Sequence, residues 1–470
     1  MSLPLLLMAL PMVTAVLTYN LRRWLWFQVL LAVGTAMALI VLVQVSPVDQ
    51  MVVVAGRDVL LRSSWEVLGR SFTFVSSDRP LLTFLFSAAL LFFLAAGAAR
   101  APALFLPVGL GLLLLMEATV FVQPFVYAAL FLELIAAVAA FMLADRVYAR
   151  TDGALRYLVF VSLGVPFILL AGWQLEVHQV SPDDALPLAR ATWMLAVGFM
   201  IILAVAPFHS WVAMVARHSP PLAAGFVLTV VQAVVAFFLM DTLAQFDWLR
   251  ANANFFLALR LGGMAMAAFG AVFAFGQRSL GGLMGYSVLI DWGATLLAIG
   301  LGTPESIAVA AMLIVVRVLA LVVWGVGAGV LVGPFGDDYE NMRGRARNHP
   351  FAMVAVFAGG LSLSAMPLMA GFPGRWALFS MLSGAHTGYA IGLLIAGTSS
   401  WLGYARALCI ILRRSESQDE QSYYAGAEED PLTIVFAVPG VLLLLWVGLA
   451  PQLLSRMAQR IVENLAQLLA

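Results

Sequence analysis

The chain has 470 residues, 63% hydrophobic and only 11% charged, against roughly a quarter charged in an ordinary soluble domain, so it is excluded from the water-soluble class. A formal net charge of zero gives no basic surface for nucleic acid, and the lone Cys409 permits neither an internal disulfide nor a cysteine-rich metal site. All 25 basic residues are arginine, with no lysine at any position; codon drift in a GC-rich genome is the simpler account, yet a buried lysine can lose its proton and an arginine cannot.

Apolar runs long enough to cross a hydrocarbon core about 30 Å thick recur near 3–21, 24–45, 80–98, 102–122, 125–144, 155–173, 190–211, 221–241, 253–275, 280–300, 306–333, 350–370, 375–412 and 431–451. They predict an all-α polytopic membrane protein with about fourteen transmembrane helices. The first run is followed by Arg22 and Arg23 and lacks a basic leader and a cleavage site, so it reads as a retained span and not a signal peptide. The run 375–412 is too long for one helix. Its polar centre, Ser383 to Gly388, divides it into a short piece that completes the preceding span and a full crossing from about 389.

Two spans carry helix breakers in comparable places. One is "GFMIILAVAPFHSWVAMVARHSPP", 198–221, and the other "LSLSAMPLMAGFPGRWALF", 361–379, where Pro367, Gly371, Pro373 and Gly374 interrupt an apolar run. They are either ordinary kinks or the broken helices of an inverted-repeat transporter. On the second reading the chain divides into N-terminal spans and an outer loop (1–100), two repeats (101–245 and 250–415), and a tail (416–470) with a loop, a last span and a short amphipathic helix. Loops after odd-numbered spans hold Arg22, Arg100, Arg146, Arg217, Arg278, Arg343 and Arg413. They should face the cytoplasm, with both termini on the outer side; the long second loop, 46–79, is the exception.

A charged side chain at a helix centre costs roughly 2.5–3.5 kcal/mol on insertion scales, so each one inside an apolar run is a candidate functional group. In chain order these are Glu117, Glu133, Arg260, Asp291, Arg317 and Arg375. Glu133 and Arg317 sit deepest in their runs and read as functional. Glu117 and Arg260 read as a structural ion pair or as side chains reaching the lipid edge. His209 and His218, beside Trp211, can relay protons or merely anchor the membrane interface. No metal-ligand spacing, phosphate loop or catalytic triad is present, and nothing indicates a cofactor.

Taken in order, "FLELIAAVAAFML", "GF…PFHSW…SPP", "QRSLGGLMGYSVLIDWG", "ENMRGRARNHP", "LSLSAMPLMAGFPGRWALF" and "SSWLGYARAL" resemble the antiporter-like membrane subunits of respiratory complex I. Relatives of that family occur in multisubunit cation/proton antiporters and membrane-bound hydrogenases, and the length is similar to the N and M subunit types. The resemblance implies a non-redox membrane-arm subunit with no catalytic site, bound to other membrane subunits and the lipid bilayer, in a bacterial cytoplasmic membrane. It implies a mid-membrane chain of lysines handing protons along, with Glu133 at the family's key glutamate. Here Ile202 and Gln232 stand at two of the lysine positions, Arg156 at a third, Arg317 near the central one, and Arg375 at the second broken helix. Asp291 replaces a histidine. The expectation is a degenerate relay, with Glu133, Arg156, Asp291, Arg317 and Arg375 as the remaining polar axis and His209 at its edge. The alternatives are a structural or coupling subunit without transport, and an ion or inorganic-carbon transporter module.

Overall fold

Backbone groups find no water in a bilayer interior, so each apolar run satisfies its own N–H and C=O groups as a helix. The computed structural model of the chain describes residues 2–469 apart from 48, 55–56, 68, 145–150, 333–335, 344–347, 385 and 414–428. Its helices are α1 (Leu3–Asn20), α2 (Leu25–Val45), α3 (Arg79–Ala95), α4 (Phe105–Phe121), α5 (Ala128–Leu143), α6 (Asp152–Val180), α7 (Leu186–Ile202), α8 (Ser210–His218), α9 (Pro221–Phe226), α10 (Gln232–Gln245), α11 (Asp247–Arg250), α12 (Ala253–Gly276), α13 (Leu280–Ile299), α14 (Pro304–Leu331), α15 (Pro350–Leu363), α16 (Gly371–Leu382), α17 (Thr387–Ile411), α18 (Pro431–Leu449) and α19 (Gln452–Leu469). A π-helical turn, Val227–Val231, joins α9 and α10 into one span.

Among the described residues, 11 spans are long and apolar enough to cross a membrane. Three shorter apolar helices, α4, α7 and α15, bring the set to the predicted fourteen. The stretch read as a long polar loop holds two antiparallel hairpins: β1 (Gln50–Val54) with β2 (Arg57–Leu61), and β3 (Ser64–Val67) with β4 (Arg70–Thr73). β4 also pairs with β5 (Val122–Gln123) at the end of α4, with Phe72 opposite Val122.

Proline and short polar residues start several helices. Pro304 follows Thr303, whose hydroxyl accepts the Ser306 N–H, and Ser279 and Asn252 cap α13 and α12 in the same way. The span Pro221–Gln245 is wholly buried, and α13 and α14 nearly so. These segments are apolar on all sides, as a bundle centre demands, while the surrounding helices turn residues such as Trp26, Phe141, Trp193 and Val272 outward. α12 and α13 cross backbone to backbone: a Cβ on Gly263 would lie 2.5 Å from the Gly293 carbonyl, and one on Gly293 as close to that of Gly263.

The order of elements repeats. Five spans (α4, α5, α6, α7–α8, α9–α10) are followed by five more (α12, α13, α14, α15–α16, α17), and the fourth of each set is broken. An odd number of crossings per set starts the second on the opposite side of the membrane from the first. The two breaks share one geometry. In the first, Ala204 has φ +61°, its N–H reaches the Ile201 carbonyl, and the Val205 N–H reaches Met200. In the second, Ala365 has φ +57°, its N–H reaches Ser362, and the Met366 N–H reaches Leu361. Both are Schellman turns with alanine in the left-handed position that glycine usually occupies. The second break spans 364–370, so Pro367 lies in it, but Pro373 and Gly374 fall in the first turn of α16, where a missing N–H costs nothing.

Candidate functional site

The buried charges of the second repeat meet at one carboxylate. Asp291 lies midway along α13, Arg317 midway along α14 and Arg375 in the second turn of α16, just past the break. Arg317 Nε donates to Asp291 Oδ2 at 2.6 Å, and Arg375 Nη2 donates to Oδ1 at 2.9 Å. All three residues are buried, with relative exposures of 5%, 0% and 1% for Asp291, Arg317 and Arg375. Two cations on one anion leave the cluster with a surplus positive charge where water does not screen it.

Neighbouring groups disperse that charge. Arg317 Nη2 donates to Thr295 Oγ1 at 2.6 Å, one helical turn beyond Asp291, and the guanidinium carbon lies 3.8 Å from the centre of the Trp292 ring. Trp292 is itself held, its indole N–H donating to the Leu228 carbonyl at 3.0 Å. Leu228 belongs to the π turn, which breaks the regular ladder of the buried span and presents a carbonyl to the indole. Arg317 Nη1 and Arg375 Nε have no hydrogen-bond partner among the described residues.

Among its described residues the first repeat gathers no such cluster. Ile202 and Gln232 are neighbours, both buried, and Gln232 Nε2 points to the Ile202 carbonyl at 3.4 Å, across the end of α7 where the helical ladder stops. Among the described residues Glu133 meets no arginine: Ser162 donates to its Oε1 at 2.5 Å, and its Oε2 has no partner there. Arg156 is exposed on α6, apart from Asp291. His209 lies in the first break against Phe269 and Phe273, 5.0 and 6.3 Å between ring centres. Of the expected polar axis, Asp291, Arg317 and Arg375 therefore come together, and Glu133, Arg156 and His209 stand elsewhere.

Arg260 forms no ion pair among the described residues; it donates instead to the Gly300 carbonyl at 2.7 Å beyond the last turn of α13. Glu117 forms none either: it is 1% exposed and neither oxygen is bonded among the described residues, so it does not reach the lipid edge. The sequence reading passed over Trp292, Thr295 and the π turn. It also passed over three linked hydroxyls in which Ser400 meets Ser287 at 2.7 Å and Ser364 at 2.6 Å, tying α13 and the second break to α17. Thr295 and Ser287 each lie four residues from Asp291, a spacing that puts them on its face of α13. Trp292 and the π turn left no such pattern.

Comparison with known proteins places this geometry in a family context. Residues 183–403 match the family model described as NADH:quinone oxidoreductase/Mrp antiporter, transmembrane. NADH-quinone oxidoreductase subunit N 2 of Acidobacterium capsulatum is 29% identical over 339 residues, covering 66% of this chain and 66% of its own. Formate hydrogenlyase subunit 3 of Escherichia coli is 26% identical over 276 residues, covering 53% of this chain and 45% of its own. The aligned part thus spans less than two thirds of the length of either. Among solved structures, the Mrp complex from Dietzia sp. DQ12-45-1b contains a chain that superposes with a TM-score of 0.77 at 16% identity, covering 99% of this chain and 98% of that one. Respiratory complex I from Thermus thermophilus with bound NADH gives 0.73 at 20% identity, with full coverage of both chains. These two likenesses establish the fold.

Proposed function

We propose, from the membership of residues 183–403 in the NADH:quinone oxidoreductase/Mrp antiporter membrane family, that the chain is an integral membrane-arm subunit of a complex-I-like assembly whose own proton relay is replaced by a fixed charge centre. The observation that carries this reading is Asp291 bonded through both oxygens to Arg317 and Arg375. A relay site takes up and releases a proton in each cycle; a buried amine can be tuned to do so, whereas a guanidinium keeps its proton. In the first repeat Ile202 and Gln232 have nothing to exchange, and Glu133 has a serine where a lysine-bearing relative would offer an amine. The chain then serves its complex by holding neighbours in register and by presenting a constant positive charge at mid-membrane. Its odd-numbered loops face the cytoplasm and both termini the outer side.

Glu133 supplies the test. In the parent complex purified from its native membrane and reconstituted in vesicles, Glu133→Gln leaves proton pumping per substrate turned over within about twofold of wild type, less than 0.5 kcal/mol on a rate. A loss of tenfold or more, with the complex assembled at wild-type yield, overturns the reading and returns Glu133 to a working relay. The proteins that copurify with the wild-type chain identify the parent complex.

A further inference from the structure

The arginine cluster is short of one negative charge. Arg317 and Arg375 set two positive charges against the single carboxylate of Asp291, and all three residues are buried. Helices α12–α17 carry only one other acid, Glu305. It is exposed in the first turn of α14, twelve residues (305 to 317) and about 18 Å of helix from Arg317. The buried carboxylate oxygens left without a partner among the described residues belong to Glu117 and Glu133, both in the first repeat. The spans of the second repeat therefore supply no counter-charge of their own.

The cluster is short of acceptors as well. Arg317 donates through Nε to Asp291 and through Nη2 to Thr295, and Arg375 donates through Nη2 to Asp291. Arg317 Nη1 and Arg375 Nε are buried N–H groups with no acceptor among the described residues. Both guanidiniums are anchored to the oxygens of one carboxylate, which sets them side by side at a single place. Water satisfies such N–H groups but leaves the charge; an anion answers both deficits.

We infer that the cluster binds a single monovalent inorganic anion of about the size of chloride, which accepts from Arg317 Nη1 and Arg375 Nε. The surplus fixes its charge. Its size follows from burial: the ion sheds its hydration shell to reach groups at most 5% exposed, which costs less for chloride or bromide than for the more tightly hydrated fluoride or sulfate. The linked hydroxyls of Ser287, Ser400 and Ser364 give it a polar approach, since Ser287 lies one turn from Asp291 toward the start of α13. The inference rests on reading the cluster as a fixed charge centre, whose guanidiniums keep their protons and so maintain the surplus.

Radiochloride binding to the purified full-length chain in detergent, measured by equilibrium dialysis against gluconate at constant ionic strength, tests it. Wild type binds saturably, with one ion per chain; bromide displaces the label and sulfate does not. Arg375→Gln, which removes the surplus and one donor but keeps the pair of Arg317 and Asp291, weakens binding at least about tenfold. Arg260→Gln, which removes an arginine of the same repeat outside the cluster, leaves the affinity within about twofold of wild type. The inference is overturned by a wild-type chain with no saturable binding, by displacement with sulfate as readily as with bromide, by unchanged binding in Arg375→Gln, or by equal losses in the two variants. Proton pumping in Glu133→Gln reports on the relay separately, so a working Glu133 and a cluster without an anion are distinguishable results.

Discussion

A carboxylate shared by two guanidiniums cannot be removed without leaving two cations side by side in a site closed to water. Asp291→Asn is therefore expected to cost about 3–5 kcal/mol, the range for breaking a buried ion pair by deleting one partner. Arg375→Ala costs less, because Asp291 still holds Arg317 at 2.6 Å and the surplus charge is removed with the side chain. Thermal unfolding of the detergent-solubilised chain, with recovery of the assembled complex, measures both; midpoints indistinguishable from wild type for both variants would sink the argument. The three charges were legible one by one, because an ionisable group inside an apolar run is costly enough to stand out. Their meeting was not: Asp291 lies 26 residues from Arg317 and 84 from Arg375, and such separations say nothing about which helix faces which. Arg156 misled for a related reason. α6 has 29 residues, more than the roughly 20 a bilayer needs, and Arg156 falls in its first turns on an exposed face.

The broken helices show what composition can and cannot announce. Proline and glycine marked the interruption in 361–379, but its position depends on Ala365 and Leu368, whose φ values of +57° and +73° no property of alanine or leucine foretells. Alanine in the left-handed region carries a steric cost that glycine lacks. Ala204→Gly and Ala365→Gly are each expected to raise stability by about 0.5–1 kcal/mol, the backbone term offset in part by a freer unfolded chain. Gly371→Ala does the reverse, because its Cβ would run into the Ser362 carbonyl where α16 returns over the end of α15. A loss of about 3 kcal/mol, the upper end for overpacking, is expected there. Equilibrium unfolding of the three variants decides it: a neutral Gly371→Ala would mean that the break is loose enough to shift. The π turn had no sequence signature at all, since Val227–Val231 reads as uninterrupted apolar helix.

Across the whole molecule, three of the arginine-bearing loops are brought together. The loops after the seventh, ninth and eleventh spans meet at one end of the bundle and link the two repeats there. Arg217, at the end of α8 in the first repeat, lies 3.0 Å from Asp338 and 3.8 Å from Asp337 in the second. Asp337 in turn accepts the Gly281 N–H through Oδ2 at 3.1 Å and the Leu280 N–H through its backbone carbonyl at 2.9 Å, holding the start of α13, while the Tyr339 N–H bonds the Arg278 carbonyl. Burial pushes the Asp337 carboxyl up from 3.8 to about 6, against the opposing pull of Arg217. A raised folded-state value means that the native chain holds this proton more tightly than the unfolded chain. The contribution of Asp337 to stability is then full below about pH 4, declines as pH rises from about 4 to about 6, and is level above that. The total change is on the order of 3 kcal/mol. Apparent unfolding midpoints of the wild-type chain, measured in detergent from about pH 4 to pH 7, are expected to carry this downward component, and Asp337→Asn to remove it while keeping an oxygen for Gly281. If wild type and variant show the same pH slope, the carboxyl titrates as it would in water, and the link between the repeats rests on Arg217 with Asp338 and on the backbone bonds alone.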